Sequence, residues 1–349
     1  MMNPEFELIS LKPLDSLFFG DNMGLDLNSP GGGLRFPLPW TVSGALLYAH
    51  IMSVHNLGSS YGLTSNWDEG VEERGDLTGF MFYGPFLIWR GKKWFPCPLD
   101  LSVSVEGLQP SQNPKLYSSQ LPPIMPREDK CKWIPHDLLE RYSEGNKVEP
   151  INEVEEPIFE EKRLGIHLDD VNRTVVEDFL YTSRHIRLKD ASIGVLVASK
   201  GEARIEVPPL IKLGGEGRPV RVTRERWTPK WLSNDVLKAG SVVKVVLLSP
   251  AIYRKNGKDV RIPELKLPGK PELLESRSAL VISGPPVLVS GWDLKRARAR
   301  KLYAAVPPGT VFYLKLSEDV GRWELTYNFW RLSLFWERGF GSLLISPVR

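Results

Sequence analysis

A succession of short strand-like segments in the second half of the chain constrains the fold more than any other feature. From about residue 179 onwards, apolar and β-branched residues recur in short runs that turn residues separate, which is the pattern of β-strands. The predicted strands span residues 181–188, 193–198, 203–210, 220–227, 242–248, 280–289, 310–316 and 340–345. A short amphipathic helix with an aromatic side is predicted at residues 328–336.

The first half has the same character, with more connecting sequence. Residues 6–11 and 80–89 predict strands, and the second of these ends in a hairpin turn at Arg90-Gly91-Lys92. Helices are predicted at 41–54 and 135–142, long loops at 13–39 and 96–126, and an exposed connection along the acidic stretch that ends at Glu161. No period of about 20 to 50 residues repeats, so a solenoid is excluded. The sequence predicts an α+β fold with helices packed on one face of antiparallel sheets.

The composition is that of a soluble globular protein. The 349 residues are 42% hydrophobic and 25% charged, and the chain is long enough for two domains. No apolar run reaches the roughly 20 residues of a membrane span, and the N-terminus lacks the basic start and apolar core of a signal peptide. Cys97 and Cys131 are the only cysteines, and we predict from them neither a disulfide framework nor a zinc site. We therefore expect a protein of the reducing cytoplasm with no membrane contact.

Positive charge is concentrated in the second half of the chain. Residues 184–301 hold 25 Lys and Arg against 11 Asp and Glu, an excess of 14, so the rest must carry −11 to give the overall +3. Many of the acidic residues that carry this negative charge lie between Glu144 and Glu161. This division predicts an anionic partner for the basic half, and plain solvation of a large surface is the other interpretation.

One segment, residues 213–227, combines glycine with arginine. Gly214, Gly215 and Gly217 allow a backbone with φ > 0 that can approach another group closely. Four arginines follow, at positions 218, 221, 224 and 226. Amides and guanidinium groups both donate to phosphate oxygens, so the segment suits a phosphate chain. A tight β-turn whose arginines face water is the alternative, and alternation along the strand must send some arginines to the opposite face.

Two further segments could serve an anionic ligand. Five basic residues crowd into positions 295–301, where they either line a groove or form a solvated face: Lys295, Arg296, Arg298, Arg300 and Lys301. Near the C-terminus, Arg338 opens a short glycine loop that contains Gly339 and Gly341. Each signal is weak when taken alone.

Signatures of catalysis and metal binding are scarce. The chain has no phosphate-binding loop ending in Gly-Lys-Ser/Thr, no strand-linked GxGxxG, no His-Glu-x-x-His and no Gly-x-Ser-x-Gly. Among five histidines, none pairs with another at metal-ligand spacing. His50 is predicted to pack on its helix, and His185 could contact RNA or face solvent. Acid–base cleavage of RNA needs two groups that meet in space, which leaves that option open at this stage.

Several sequence blocks together resemble one known family. The blocks are 12–19 (KPLDSLFF), 36–46 (FPLPWTVSGAL), 162–169 (KRLGIHLD) with Asn172-Arg173 and Leu180-Tyr181, 213–218 (LGGEGR), 290–294 (SGWDL), 306–311 (VPPGTV) and the loop of Gly339 and Gly341. In this order, over almost the whole chain, they resemble the third subunits of the Cmr complex. That complex is a type III-B CRISPR effector, and these subunits belong to the RAMP superfamily of RNA-binding proteins.

The resemblance implies two ferredoxin-like, RRM-type domains, at residues 1–190 and 191–349, with long insertions and a C-terminal glycine-rich loop. It implies a cytoplasmic subunit without catalysis or cofactor that holds the 5′ handle of the guide RNA. It also implies contacts with the large polymerase-like subunit and with the backbone subunit of the complex. The alternative is a metal-independent RAMP endoribonuclease that processes precursor guide RNA, and a third option is a structural adaptor with little RNA contact.

The resemblance further implies where RNA would bind. The expected residues are Arg163, His167, Asn172 and Arg173 on a protruding hairpin, Gly214, Gly215, Arg218 and Arg221 on handle phosphates, Lys295, Arg296 and Arg298 beside the same cleft, and Gly339 and Gly341 in the C-terminal loop. Related chains often have an arginine soon after the position of Phe18-Phe19, where this chain has Gly20-Asp21-Asn22. Arg35 is expected to substitute for it.

Overall fold

The computed structural model describes residues 4–20, 34–54, 79–101, 131–148, 156–168, 175–199, 201, 204–264, 267, 272–293 and 298–348. For residues 166–168, 175–181, 275–279, 292–293 and 298–299, this description covers the main chain alone. The strands are β1 (Phe6–Pro13), β2 (Phe80–Trp89), β3 (Lys92–Pro96), β4 (Trp133–Pro135), β5 (Ile158–Leu168), β6 (Val175–Leu188), β7 (Ala191–Ser199), β8 (Leu210–Lys212), β9 (Pro219–Arg226), β10 (Val236–Leu237), β11 (Val242–Leu247), β12 (Tyr253–Lys255), β13 (Lys258–Val260), β14 (Leu274–Ile282), β15 (Val287–Val289), β16 (Trp292–Asp293), β17 (Arg298–Ala299), β18 (Tyr303–Ala305), β19 (Val311–Leu316), β20 (Val320–Gly321) and β21 (Leu343–Pro347). The helices in the same ranges are α1 (Pro39–Val54), α2 (His136–Ser143) and α3 (Arg322–Trp330).

Seven antiparallel strands form the first sheet, in the order β4-β3-β2-β7-β1-β9-β8. Successive residues of a strand point to opposite faces. Along β1, Ile9 and Leu11 face a core cluster to which α1 contributes Leu46. Phe6 and Leu8 face a second, larger cluster on the other side. The sheet therefore has apolar contacts on both faces, which suits its almost fully buried central strands.

The second sheet has the order β14-β19-β11-β21, and α3 packs against β21. Its side chains Val245 and Phe312 belong to the same core cluster as Leu8 and Tyr83 of the first sheet. The Tyr83 hydroxyl donates a hydrogen bond to the main-chain oxygen of Leu343, at 2.8 Å. The two sheets thus share one continuous apolar core, and the strand-rich mixed fold agrees with the predicted class.

β5 and β6 form a two-stranded hairpin of their own. Its base is attached to the first sheet through an isolated bridge between Leu17 and Ile186, whose two N···O distances are both 2.7 Å. Both side chains are buried in the core cluster beside α1. Leu164, farther along β5, is 74% exposed, so the hairpin projects away from the sheet toward solvent.

Two local predictions are wrong because turn chemistry was missed. The last helix, α3, begins and ends six residues earlier than predicted, and Phe335, which the predicted helix included, adopts a left-handed conformation (φ 56°) that a helix does not allow. The strand predicted at 203–210 is not formed by the described residues 204–209, where Pro208 and Pro209 have no N–H for a ladder, and β8 shares only Leu210 with it. His50 is packed as predicted, with its ring against Phe80.

The prediction for the cysteines is also wrong. Cys97 and Cys131 form a disulfide, with sulfur atoms 2.15 Å apart and Cα atoms 5.7 Å apart. The pairing of β3 with β4 brings them together, because Cys97 directly follows β3 and its N–H donates to the oxygen of Lys132 at 3.1 Å. Sequence spacing cannot reveal a contact that depends on which strands pair.

The end of the acidic stretch lies in a strand and is not part of a connection. β5 begins at Ile158, and Glu160 and Glu161 lie within it. The first sheet also reaches beyond the predicted division at residue 190, because β7, β8 and β9 belong to it. The last strand of the first sheet along the chain, β9, ends at Arg226, and the strands of the second sheet all follow it. The division into two domains at 190 stays a prediction.

Candidate nucleic-acid interface

Three separate parts of the chain meet at one end of the first sheet. They are the segment 14–20 that follows β1, the β8–β9 loop (213–218) and the β5–β6 hairpin. The Gly215 N–H donates to the main-chain oxygen of Phe18 at 2.8 Å. Together with the bridge from Leu17 to the hairpin, this bond holds all three parts in contact.

Gly214 and Gly215 allow the β8–β9 loop to approach Phe18 closely. Gly214 and Gly217 have φ of +75° and +61°, so the positive φ predicted for this segment is confirmed. A Cβ on Gly214 would clash with the main-chain oxygen of Phe18, and one on Gly215 would lie 2.7 Å from the Phe18 ring. The loop is a tight hairpin turn packed on Phe18. Since the Gly215 amide already bonds to Phe18, it is not free for a phosphate, and contact of these glycines with RNA stays a prediction.

Six charged side chains interlock at this junction, and we call them the braced cluster: Asp15, Glu161, Arg163, Arg187, Glu216 and Arg218. Oxygens of Asp15 lie 2.9 Å from Arg187 Nη1 and 3.8 Å from Arg218 Nη1. The same carboxylate lies 4.0 Å from Arg163 Nη2. Two arginines that were predicted to bind RNA, Arg163 and Arg218, therefore meet around one carboxylate.

Carboxylates occupy the guanidinium donors of this cluster. Glu161 accepts from Arg163 at 2.7 Å and from Arg187 at 2.9 Å, and the two arginines hold the pKa of Glu161 below its usual value. The pKa of Asp15 is also lowered, first by a hydrogen bond from the Ser16 main chain and then by Arg187. The braced cluster holds three arginines and three carboxylic acids, so its formal charges cancel.

A buried histidine lies beneath the braced cluster. His185 is 1% exposed, with Nδ1 3.5 Å from Ser16 Oγ and Nε2 3.5 Å from a Glu216 oxygen. Its ring centre lies 5.3 Å from that of Phe18. Burial is the main cause that lowers the pKa of His185, with Glu216 opposing and Arg163 adding to the effect. His185 is therefore neutral at neutral pH and too enclosed to contact RNA, which corrects the interpretation of it as an RNA contact or a solvent-facing group.

Beside the braced cluster, three cations line up on the uncovered part of the first sheet, and we call Lys12, Lys212 and Arg221 the open cationic face. Lys12 is the direct cross-strand partner of Arg221. Lys212 pairs with Pro219, two residues from Arg221, so it lies diagonally next to that arginine. All three are exposed, and none forms an ion pair with a carboxylate in the described part of the chain.

The other arginines of β9, Arg224 and Arg226, each lie near a carboxylate. Arg224 bonds to Glu7 at 2.9 Å and to the main-chain oxygen of Ile205 at 2.8 Å. Arg226 lies 3.9 Å from Glu5. Alternation along β9 thus separates Arg221, on the open cationic face, from these two arginines.

Arg35 is engaged by the acidic stretch. Its guanidinium lies 3.0 Å from Glu156 and 3.0 Å from Glu160. These two carboxylates occupy the guanidinium donors of Arg35 in this structure. Its predicted contact with phosphate, in place of an arginine near Phe18-Phe19, stays a prediction.

The C-terminal glycine loop lies in the interior, between the two sheets. A Cβ on Gly339 would lie 2.6 Å from the oxygen of Gly84, and one on Gly341 would lie 2.7 Å from Ser333 Cβ. Both glycines are buried and pack against neighbouring groups, and their contact with RNA stays a prediction. Burial is the main cause that lowers the pKa of the neighbouring Arg338 to about 10, with Glu337 opposing and Arg300 adding to the effect, so the loop lies near Arg300.

Some predicted residues cannot be placed on this surface. Asn172, Arg173, Lys295 and Arg296 lie outside the described residues. His167 and Arg298 lie in β5 and β17, for which only their main chain is described.

The ranges that the structure describes contain neither a metal-binding cluster nor a membrane-spanning helix. No three His, Cys, Asp or Glu side chains there come together in a way that could hold a metal ion. No helix in those ranges has the length and apolar character needed to span a bilayer.

Comparison with protein families decides the membership of the chain. Residues 9–347 match the family of CRISPR-associated proteins described as Cas_Cmr3. The chain belongs to the Cas_Cmr3 family. This confirms the resemblance to the third subunit of the Cmr complex. No curated protein sequence matches the chain.

Two solved structures contain chains of similar fold. A chain of the type III-B Cmr-beta complex bound to cognate target RNA and AMPPnP has a TM-score of 0.55 and 18% identity, covering 98% of this chain and 99% of that one. A chain of the same complex bound to cognate target RNA has a TM-score of 0.53 and 18% identity, covering 97% and 96%. At this identity, the likeness shows a shared fold.

Sequence reasoning missed the acidic half of the braced cluster and two of the three open cations. Asp15 lies in the block KPLDSLFF and Glu216 in the block LGGEGR, so both stood beside residues that drew attention. Lys12 opens the first of these blocks. The signal that could have identified Lys12 and Lys212 is strand alternation, since both flank buried apolar positions of a two-faced sheet.

Proposed function

We propose that this Cas_Cmr3 family member is a non-catalytic RNA-binding subunit of a type III-B CRISPR complex that holds the 5′ handle of the guide RNA. The observation that carries the proposal is the braced cluster, where arginines from the β5–β6 hairpin and the β8–β9 loop converge on Asp15. Family membership supports the setting, and the solved relatives of similar fold come from complexes bound to cognate target RNA.

The braced cluster supports phosphate binding through exchange of partners. Guanidinium groups bind carboxylates and phosphates with the same paired N–H donors. Asp15, Glu161 and Glu216 therefore occupy positions that phosphate oxygens could take. These carboxylates also keep the arginine side chains extended toward one point, which lowers the entropy lost when RNA arrives.

The same site offers little for catalysis. Acid–base cleavage needs a group that reaches the 2′-hydroxyl. Among the described residues, His185 is the histidine that contacts the braced cluster, and it is buried and neutral. This observation supports a holding role over the alternative of a metal-independent RAMP endoribonuclease.

We extend the proposal to the architecture and the partners. Each of the two sheets would be the core of one ferredoxin-like domain, and the C-terminal glycine loop would join them. The large polymerase-like subunit and the backbone subunit would be the protein partners. Expression with those subunits is accordingly part of the test.

The experiment measures binding of guide RNA by the chain assembled with its companion subunits. Guide RNA with the repeat-derived handle is compared with RNA of scrambled handle, in EDTA. We expect tighter binding of the intact handle, and Arg163→Ala with Arg218→Ala to weaken it by about 1–3 kcal/mol through lost charge-assisted bonds.

The control is Arg226→Ala, because that side chain is 91% exposed and outside the braced cluster. Equal binding of both RNAs would refute the handle role. Site-specific cleavage of repeat RNA in EDTA, lost on substitution of a histidine, would establish the nuclease alternative.

A further inference from the structure

We infer that the open cationic face is a second RNA-contact surface, which binds the sugar–phosphate backbone of the strand that leaves the braced cluster. The inference rests on the proposed function and adds a path for the RNA across β1, β9 and β8. Its occupant is a single strand held through phosphates, with little preference for base sequence.

The first argument is the placement of like charges. Lys12 and Arg221 are direct cross-strand partners, and like charges in that position destabilise a sheet. Lys212 adds a third positive charge on the diagonal. Adjacent strands are about 4.8 Å apart, so the three heads can approach one anionic chain together. An anionic ligand would relieve this repulsion.

The second argument is the contrast with neighbouring cations of the same sheet. Lys93 pairs with Glu225 at 2.7 Å, and Arg224 pairs with Glu7 at 2.9 Å. The open cationic face has no such internal carboxylate in the ranges described. Its charge is therefore available to an external anion, unlike the neutral braced cluster.

The third argument is the chemistry of the surrounding surface. Toward the N-terminal end of β1, Leu8 on the same face is covered by the shared core. Beside the cations, Thr223 is exposed and Ser10 is partly exposed. No aromatic side chain of β1, β8 or β9 is exposed. Sheets that read bases stack them on exposed aromatics. Hydroxyls and cations without aromatics favour phosphate contacts instead.

The fourth argument is continuity with the braced cluster. Lys12 precedes Asp15 by three residues, and Arg221 follows Arg218 by three. The Lys212 side chain packs beside the β8–β9 loop, where a Cβ on Gly217 would lie 3.5 Å from its Cδ. An RNA strand held at the braced cluster would therefore have the open cationic face next along its path.

The test uses the assembled complex and guide RNA at several salt concentrations. The variant carries Lys12→Gln, Lys212→Gln and Arg221→Gln together. The matched control carries Lys230→Gln, Lys238→Gln and Lys255→Gln, which removes the same charge from exposed lysines that already pair with carboxylates. Circular dichroism checks that both variants fold.

Each phosphate contact on a single strand contributes roughly 0.7 to the slope of log affinity against log salt, so three contacts contribute about 2. We expect the slope of the triple variant to fall by about 2, with affinity about 10- to 30-fold lower at low salt. The preference for intact over scrambled handle should be unchanged, because it resides in the braced cluster.

The outcomes separate this inference from the proposed function. Selective handle binding with equal slopes for variant and control overturns the open cationic face and leaves the proposed function standing. Absence of any RNA binding by the wild-type complex overturns both. If the variant instead fails to assemble with companion subunits in the absence of RNA, the occupant is an acidic protein surface and the RNA inference is wrong.

Discussion

Lys244 Nζ lies 3.0 Å from Asp100 Oδ2 in the protein interior, where both side chains are almost fully buried. The hydroxyls of Tyr142 and Tyr313 each donate to the same oxygen at 2.8 Å. Burial, with Asp100 adding, raises the pKa of both tyrosines, so they remain donors at neutral pH. Asp100 follows the first sheet and Lys244 belongs to β11 of the second, so the pair fastens one sheet to the other.

Breaking this pair should destabilise the fold. Lys244→Met leaves the Asp100 carboxylate buried without its cation, and we expect a loss of about 3–5 kcal/mol in the free energy of unfolding. Urea unfolding followed by circular dichroism measures it. Lys238→Met is the control, since that lysine pairs with Asp319 in solvent and should cost less than about 1 kcal/mol. Similar losses for the two variants would show that the buried pair adds nothing.

Acidification should weaken the fold partly through His185. Its pKa is lowered in the folded state, so below the unfolded value of about 6.5 the unfolded chain takes up a proton first. The contribution of His185 to stability is therefore fully present above about pH 6.5, and it falls as the pH drops from there through the folded pKa. We expect His185→Gln to reduce the loss of unfolding free energy between pH 7 and pH 5. The groups facing His185 are Ser16, Phe18, Glu161, Arg163, Glu216 and Arg218. An unchanged pH dependence in the variant would assign it to other groups.

Two glycines of one loop should respond differently to alanine. Gly214→Ala introduces both a positive-φ strain and a clash with the Phe18 oxygen, whereas Gly217→Ala introduces the strain but has only an ordinary contact at 3.5 Å. The strain alone costs about 1–2 kcal/mol. We expect Gly217→Ala to lose about that much and Gly214→Ala clearly more, as measured by thermal unfolding. Equal losses would mean that the loop shifts away from Phe18 at little cost.

Asp15 should compete with RNA for the arginines of the braced cluster. Asp15→Asn removes a negative charge and weakens the hold on Arg187, so we expect RNA affinity at low salt to rise about 3- to 10-fold in the assembled complex. Glu5→Gln removes the same charge at a site 82% exposed, near Arg226, and is the control. An equal rise in both variants would indicate a general charge effect with no exchange at the braced cluster.

Local features of the fold were predictable because they depend on neighbouring residues. The tight turn before β9, the positive φ of Gly214 and the strand alternation that separates Arg221 from Arg224 follow from a few adjacent positions. Helix α1 was predicted within two residues of its start and at its observed end, because its apolar residues recur at helical spacing. The family resemblance, carried by blocks along the chain, is confirmed over residues 9–347.

Long-range pairing was decided only by the tertiary structure. Arg224 finds Glu7 across 217 positions, and Arg163 finds Ser16 across 147. Cys97 meets Cys131 because β3 pairs with β4. The sequence by itself determined which arginines share a face of β9, since alternation is a property of the strand. Which of these arginines pairs with a carboxylate depends on the segments that lie next to β9. Ion pairing requires proximity in space, and spacing along the chain does not encode that proximity.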